Sequence, residues 1–183
     1  MIEETLHQEF NSTYLRTVGI NFESFKIAMD FLAVLQEELQ VRVGRGIADV
    51  LSSEQLRLYE ECSSQEEASA WLRDNRPDYP EIINHCKCEL HYEILHYRDS
   101  ILGVSSLDPI PYSDMDIYVL DMSIRSTRAL ERAGIHTVGE IIASDHFAKG
   151  QRMSSLLPRS AREIKRKLWE LYFPDDAKPF HIT

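Results

Sequence analysis

Helix-start signals punctuate this chain: a Ser or Thr stands three residues ahead of a Gln or Glu at Ser52/Gln55, Ser64/Glu67, Thr137/Glu140 and Ser160/Glu163. At that spacing the hydroxyl accepts from the third residue's backbone N–H, and the Gln or Glu side chain reaches back to the cap's own N–H. Two donors that every helix start leaves open are then satisfied together. Such starts, without a convincing run of alternating apolar and polar residues, predict an all-α fold. Phe25, Ala28, Leu32, Leu35 and Leu39 form one apolar stripe of a helix that begins near Phe22. Gly44 and Gly46 are expected to weaken or bend that helix near Arg45. Pro77 ends the helix opened at Ser64. Pro80 suits the first turn of another, reaching about Arg98 and carrying Ile82, Ile83, Cys86, Leu90, Ile94 and Tyr97.

Between Asp99 and Tyr112 the composition changes, with Gly103, Ser105, Ser106, Pro109 and Pro111. This reads as a linker at 99–112 between an acidic helical module, 1–98, and a second module, 113–173, followed by a tail, 174–183. A linker of that kind predicts halves that move independently. Charge divides at the same place. Residues 1–112 carry 20 acidic and 9 basic side chains, whereas 113–173 carry 8 acidic and 10 basic. Different partners for the two modules follow, and the acidic one is a candidate to fold back on the basic one and compete with its ligand.

Several chemistries find no support. The start Met-Ile-Glu-Glu is unlike a signal peptide, and no apolar run is long enough for a membrane span, so a cytoplasmic setting without membrane contact is expected. Cys62, Cys86 and Cys88 make no disulfide framework. His85, Cys88 and His91 are one helical turn apart, but a fourth metal ligand is missing and Cys86 falls on the apolar stripe. Gly44-x-Gly46 lacks the remaining parts of a phosphate loop. Glu37-Glu38, Glu60-Glu61 and Glu66-Glu67 read as solvated helix faces. With no nucleophile, metal set or phosphate loop, the protein is expected to be no enzyme and to need no cofactor.

The second module has its own pattern. Ser123 caps a helix that buries Ala129, Leu130 and Ala133; Gly134 ends it; Thr137 opens the next, burying Val138, Ile141 and Ile142. A helix, a glycine turn and a helix make a helix-hairpin-helix. A degraded second copy follows: a short helix around Ser144 to Lys149, a turn at Met153–Arg159, and a helix from Ser160 with Ala161, Ile164, Leu168, Leu171 and Tyr172 inward. Lys165, Arg166 and Lys167 read as its solvated face.

Three stretches carry a family likeness: Ile117-x-x-Leu120-x-Met122-Ser123-x-Arg125-Ser126, Ala133-Gly134-Ile135-x-Thr137-Val138-Gly139-Glu140, and Arg159-Ser160-x-x-Glu163-Ile164-Lys165. In order and nearly in spacing they resemble the C-terminal domain of the bacterial RNA polymerase alpha subunit, a SAM-like helical module. The likeness implies docking on the DNA backbone and minor groove, and contact with transcription proteins. Arg125 then corresponds to the groove residue, and Arg128, Arg159 and Ser160 to phosphate contacts, with Glu163 in the same set. Leu157-Pro158 departs from the family's glycine and basic residue, which removes a close backbone approach and one N–H. Residues 31–98 also resemble a small uncharacterised bacterial helical domain, through Arg42-Val43-Gly44, Leu51 to Leu56, and Asn75-Arg76-Pro77-Asp78-Tyr79. No activity comes with that likeness.

The expectation is a non-enzymatic DNA-binding or transcription-associated accessory protein of bacteria. Its expected partners are double-stranded DNA, AT-rich DNA in particular, and RNA polymerase or a transcription factor. The alternative is a protein–protein adaptor whose hairpin module no longer binds DNA.

Overall fold

The computed structural model describes residues 10–144, Phe147 and residues 157–174. Asn11 caps α1 (Ser12–Thr17), accepting from the N–H groups of Thr13 and Tyr14. Gly19, at φ +71°, turns the backbone into β1 (Ile20–Phe22). Ser24 caps α2 (Phe25–Ala48), which buries Leu32, Leu35, Leu39, Val43 and Ile47. Phe25, expected to head that stripe, lies instead at the solvent end of the first turn and is 77% exposed. Nor do the glycines break the helix. A Cβ on Gly46 would lie 2.9 Å from Ile82 Cγ2, so this glycine lets two helices approach closely rather than bending one.

Ser52 and Gln55 form the expected reciprocal cap at the start of α3 (Ser53–Glu60). At α4 (Gln65–Asn75) only half of the cap forms. Ser64 accepts from Glu67 N–H, but the Glu67 carboxylate accepts from Ser63 N–H and Oγ. Pro80 sits in the first turn of α5 (Tyr79–Tyr97), the long helix that the rest of the protein packs around.

The fold is mostly helical, but it includes a two-stranded ribbon that the alternation test does not predict. β1 pairs antiparallel with β2 (Val104–Leu107), Ile20 opposite Leu107 and Asn21 opposite Ser106. Strands of three and four residues are too short for alternation to register. What holds them is Arg98, 2% exposed, whose guanidinium donates to the carbonyls of Val18 and Gly19 (both 3.2 Å) and of Asp108. The segment expected to be a free linker is therefore structured. A charged fork satisfies backbone oxygens from both strands at one end of the ribbon, and Tyr172 Oη donates to Pro111 O at 2.7 Å.

Beyond the ribbon come a 3-10 helix (Ile117–Leu120), α6 (Ile124–Arg132), α7 (Val138–Ala143) and α8 (Pro158–Tyr172). Gly134, at φ +74°, ends α6 as expected. Thr137 and Glu140 make a full reciprocal cap on α7. Hydrogen bonds from the backbone N–H groups of His136 and Thr137 hold the Glu140 carboxyl below its usual range. α8 departs from expectation. Its first helical residue is Pro158, not one after Ser160, because proline is preorganised for that place. Ser160 thus lies inside the first turn, and Glu163 is released for another task. The short helix read at 144–149 and the turn residues 153–156 lie outside the described residues, apart from Ser144 and the buried Phe147.

The two halves share one core. α5 lies against α8, and His91 of α5, fully buried, is ringed by Tyr14, Trp169, Tyr172 and Phe173 at centroid distances of 5.1–5.9 Å. Tyr14 Oη lies 3.1 Å from His91 Nδ1. Tyr92 Oη donates to Ser144 O (2.7 Å), and His96 Nδ1 lies 2.7 Å from Ile142 O, tying α5 to the end of α7. Lys165, read as part of a solvated face, is 5% exposed; it pairs with Glu89 at 2.6 Å and lies over the Tyr92 ring. Halves moving independently on a flexible tether do not match this packing. His91, one turn from Cys88 in the sequence, is an interior aromatic here. Among the described residues no three His, Cys, Asp or Glu side chains are placed to hold a metal, and no helix is long and apolar enough to cross a membrane.

Candidate nucleic-acid interface

α6 and α8 begin side by side, joined by one carboxylate. Ser123 caps α6, its Oγ accepting from Ser126 N–H. Glu163, one turn into α8, accepts from Ser123 N–H and Ser123 Oγ, both at 2.7 Å, and from Ser126 Oγ. Burial alone would raise the Glu163 carboxyl, but these hydrogen bonds outweigh it and hold the group below its ordinary value. A charged brace between two helix starts fixes their relative position.

That brace presents cations. Arg125 is the second residue of α6 and is exposed; Arg128 and Arg132 follow on the same face at steps of three and four, also exposed. Arg159 is the second residue of α8 and is exposed. None of these four makes an ion pair or a side-chain hydrogen bond among the described residues. The N–H groups of Ile124 and Arg125 at one helix start, and of Arg159 and Ser160 at the other, precede the first intrahelical bonds, Thr127 N–H to Ser123 O and Ala161 N–H to Leu157 O. The arrangement is suited to anions: partial positive charge at two helix ends, with guanidinium groups beside them.

The expected site residues separate into two groups. Arg125, Arg128 and Arg159 are all exposed, on two helices whose starts Glu163 joins. Ser160 does not join them, being 3% exposed with its side chain turned into the domain. Glu163 lies at the same helix starts, its oxygens accepting from the α6 cap residues Ser123 and Ser126. Leu157, the N-cap of α8, has no side-chain hydrogen bond to offer the helix and is 54% exposed, and Pro158 adds no N–H.

Residues 107–170, which include this double helix start and its Glu163 brace, match the family of C-terminal domains of the bacterial RNA polymerase alpha subunit. This region resembles an RNA polymerase alpha C-terminal domain. The DNA-directed RNA polymerase subunit alpha of Syntrophomonas wolfei subsp. wolfei is 40% identical to this protein over 58 residues. That stretch is 32% of this chain and 18% of the relative, so the match spans under a fifth of the length of that subunit. Residues 23–94, from the start of α2 nearly to the end of α5, match a family described as protein of unknown function (DUF5663). No solved structure matches the sequence.

Two features of the alpha-type domain were not visible in the sequence. The link from Glu163 to Ser123 and Ser126 spans about forty residues of sequence. The Lys165–Glu89 pair spans 76. A local spacing rule suggested instead that Glu163 caps its own helix, and nothing local could have announced either partner.

Proposed function

We propose that this chain is a non-enzymatic, transcription-associated DNA-binding protein that sets its alpha C-terminal-type domain against the DNA backbone and minor groove. The observation that carries this reading is the exposed Arg125, Arg128 and Arg159, without an ion-pair partner among the described residues, at two helix starts locked together by Glu163. Arg125 is the groove residue, because a cation at a helix start can enter a narrow, electronegative minor groove while neighbouring amides meet phosphates. AT-rich duplexes, whose minor grooves are narrow, are the preferred DNA, and RNA polymerase or a transcription factor is the accompanying protein partner. The setting is cytoplasmic and bacterial.

The test is a salt-series titration of the full-length protein with AT-rich and GC-rich duplexes. The reading expects affinity that falls steeply with salt, favours the AT-rich duplex and drops in Arg125→Ala. A wild-type protein with no salt-sensitive binding would overturn it. It would then favour the adaptor reading, in which Leu157-Pro158 has spoiled the second helix start and the exposed Tyr118, Val119 and Ile124 meet another protein.

A further inference from the structure

We infer that the exposed flank of α8, through Arg162, is a second phosphate-contacting surface that substitutes for the weakened tip of that helix. The inference rests on the DNA-binding reading above and extends it to a residue outside the set expected from the family likeness.

The tip of α8 is poor in donors. Pro158 has no N–H, Leu157 offers a bare aliphatic side chain, and the Ser160 hydroxyl belongs to a residue that is 3% exposed. The flank is the opposite. Arg159, Arg162 and Arg166 are spaced by three and four residues, so their side chains form one ridge, and all three residues are exposed. Arg166 is engaged, pairing with Glu170 at 2.7 Å. Arg162 has no carboxylate or hydrogen-bond partner among the described residues. The next basic residue, Lys165, is buried in the seam with Glu89, whereas Arg162 lies at the exposed edge of that seam, near enough to His85 of α5 to disfavour its charged form.

Position supports a phosphate ligand. Arg162 is adjacent in sequence to Glu163, whose carboxylate fixes α8 against the start of α6. The ridge is therefore held in a set relation to Arg125 and Arg128. A duplex seated on the two helix starts would present its backbone along α8, where guanidinium groups one turn apart can each meet a phosphate. In this arrangement Arg162 takes over the anchoring that amides at the tip do not provide.

The experiment uses the full-length protein and a short AT-rich duplex, titrated across a salt series with four proteins: wild type, R162A, R125A and R73A. Arg73 is an exposed arginine of α4, away from the alpha-type domain, and its substitution makes the same change in net charge. R162A is expected to weaken binding on the order of fivefold and to reduce the slope of log affinity against log salt by about one. R73A is expected to match wild type. If R162A binds as tightly as wild type while R125A is weakened, or if R162A and R73A are weakened equally, the flank has no specific role and this inference falls. The DNA-binding reading survives either result. A wild-type protein without salt-dependent binding removes both. Unchanged thermal unfolding of R162A shows that any loss of affinity is not a loss of fold.

Discussion

Arg42 in α2 and Arg125 in α6 are the same side chain under opposite conditions. Arg42 lies in the acidic half, its side chain 13% exposed, with one face on Glu38 at 2.6 Å and a two-pronged contact to Glu93 at 2.7 and 3.0 Å. Burial alone would lower its affinity for a proton, but the hydrogen bonds from the guanidinium to Glu93 and then Glu38 outweigh this and hold it more firmly charged than usual. Arg57 and Arg76 are paired in the same way, nearer the surface. In the alpha-type domain, Arg125, Arg128, Arg132, Arg159 and Arg162 stand free among the described residues. Among the described residues the acidic half has arginines without an ion-pair partner too, Arg16, Arg45 and Arg73, but each lies on a different helix. In one region carboxylates outnumber cations, and arginine serves as an internal tie. In the other the balance is reversed, carboxylates such as Glu163 and Glu140 are spent on helix caps, and the guanidinium groups are left to meet an external anion. The acidic half packs on the alpha-type domain through an aromatic core, not on its basic face as the charge split suggested. It does so through α5 and leaves the arginine faces exposed, so it does not cover the site.

The largest effect concerns whether the two regions can be separated at all. Trp169→Ala, which empties the centre of the α5–α8 seam, is expected to cost about 3–5 kcal/mol. Urea unfolding followed by far-UV circular dichroism and by Trp71 fluorescence should show one coincident transition for both regions. An acidic half that keeps its own transition would restore two independent modules. Next, Arg42→Ala is expected to cost about 2–3 kcal/mol because it strands Glu93 in a half-buried place, and to leave DNA affinity unchanged. Arg125→Ala should shift stability by no more than about 0.5 kcal/mol while weakening DNA binding. Calorimetry and titration of the same two variants check both halves of that contrast, and equal effects in both assays would dissolve it.

His91 sharpens the comparison through pH. Burial pushes its imidazole from the ordinary 6.5 down to about 3, so the folded protein binds fewer protons there than the unfolded one. Stability from the neutral ring is complete above pH 6.5 and declines as pH falls towards 3, with a slope approaching about 1.4 kcal/mol per pH unit. Unfolding midpoints measured from pH 7 to 4 should show this slope, and His91→Phe should flatten it. A more modest acid-side effect is expected of Glu163→Gln, at about 1 kcal/mol. Because its folded carboxyl is held below the ordinary value of 4.5, its contribution is complete above that pH and lost as pH falls through the lowered value. The variant should remove that acid-side loss. It should also weaken DNA binding, because the two arginine-bearing helix starts lose their brace.

Local features were legible where near neighbours in the sequence decide the outcome. Ser52/Gln55, Thr137/Glu140, Ser123 and Gly134 do what their spacing predicts, since each partner lies within one helical turn. Pro158 overruled Ser160 because a ring with a fixed φ suits the first position of a helix better than an interior serine does. At the candidate site, the exposure of three arginines agrees with their expected place at helix starts, but the burial of Ser160 and the hydrogen bonding of Glu163 could not be foreseen. Both depend on how α8 is rotated against α6.

Linear order was enough for the helices from α2 onward, the caps at Ser52, Ser123 and Thr137, the charge division and the likeness of the alpha-type domain, because all of these rest on residues within a few positions of one another or on a run of matched residues; α1 and its Asn11 cap carried no such signal. Packing in three dimensions was needed for the rest: Arg98 closes a ribbon with carbonyls about eighty residues away, His91 and Trp169 join the two regions into one core, and Lys165 is spent on Glu89 while Arg162 stays exposed. Burial and ion pairing belong to surfaces brought together in space, and spacing along a single helix states which residues share a face but not what that face will meet.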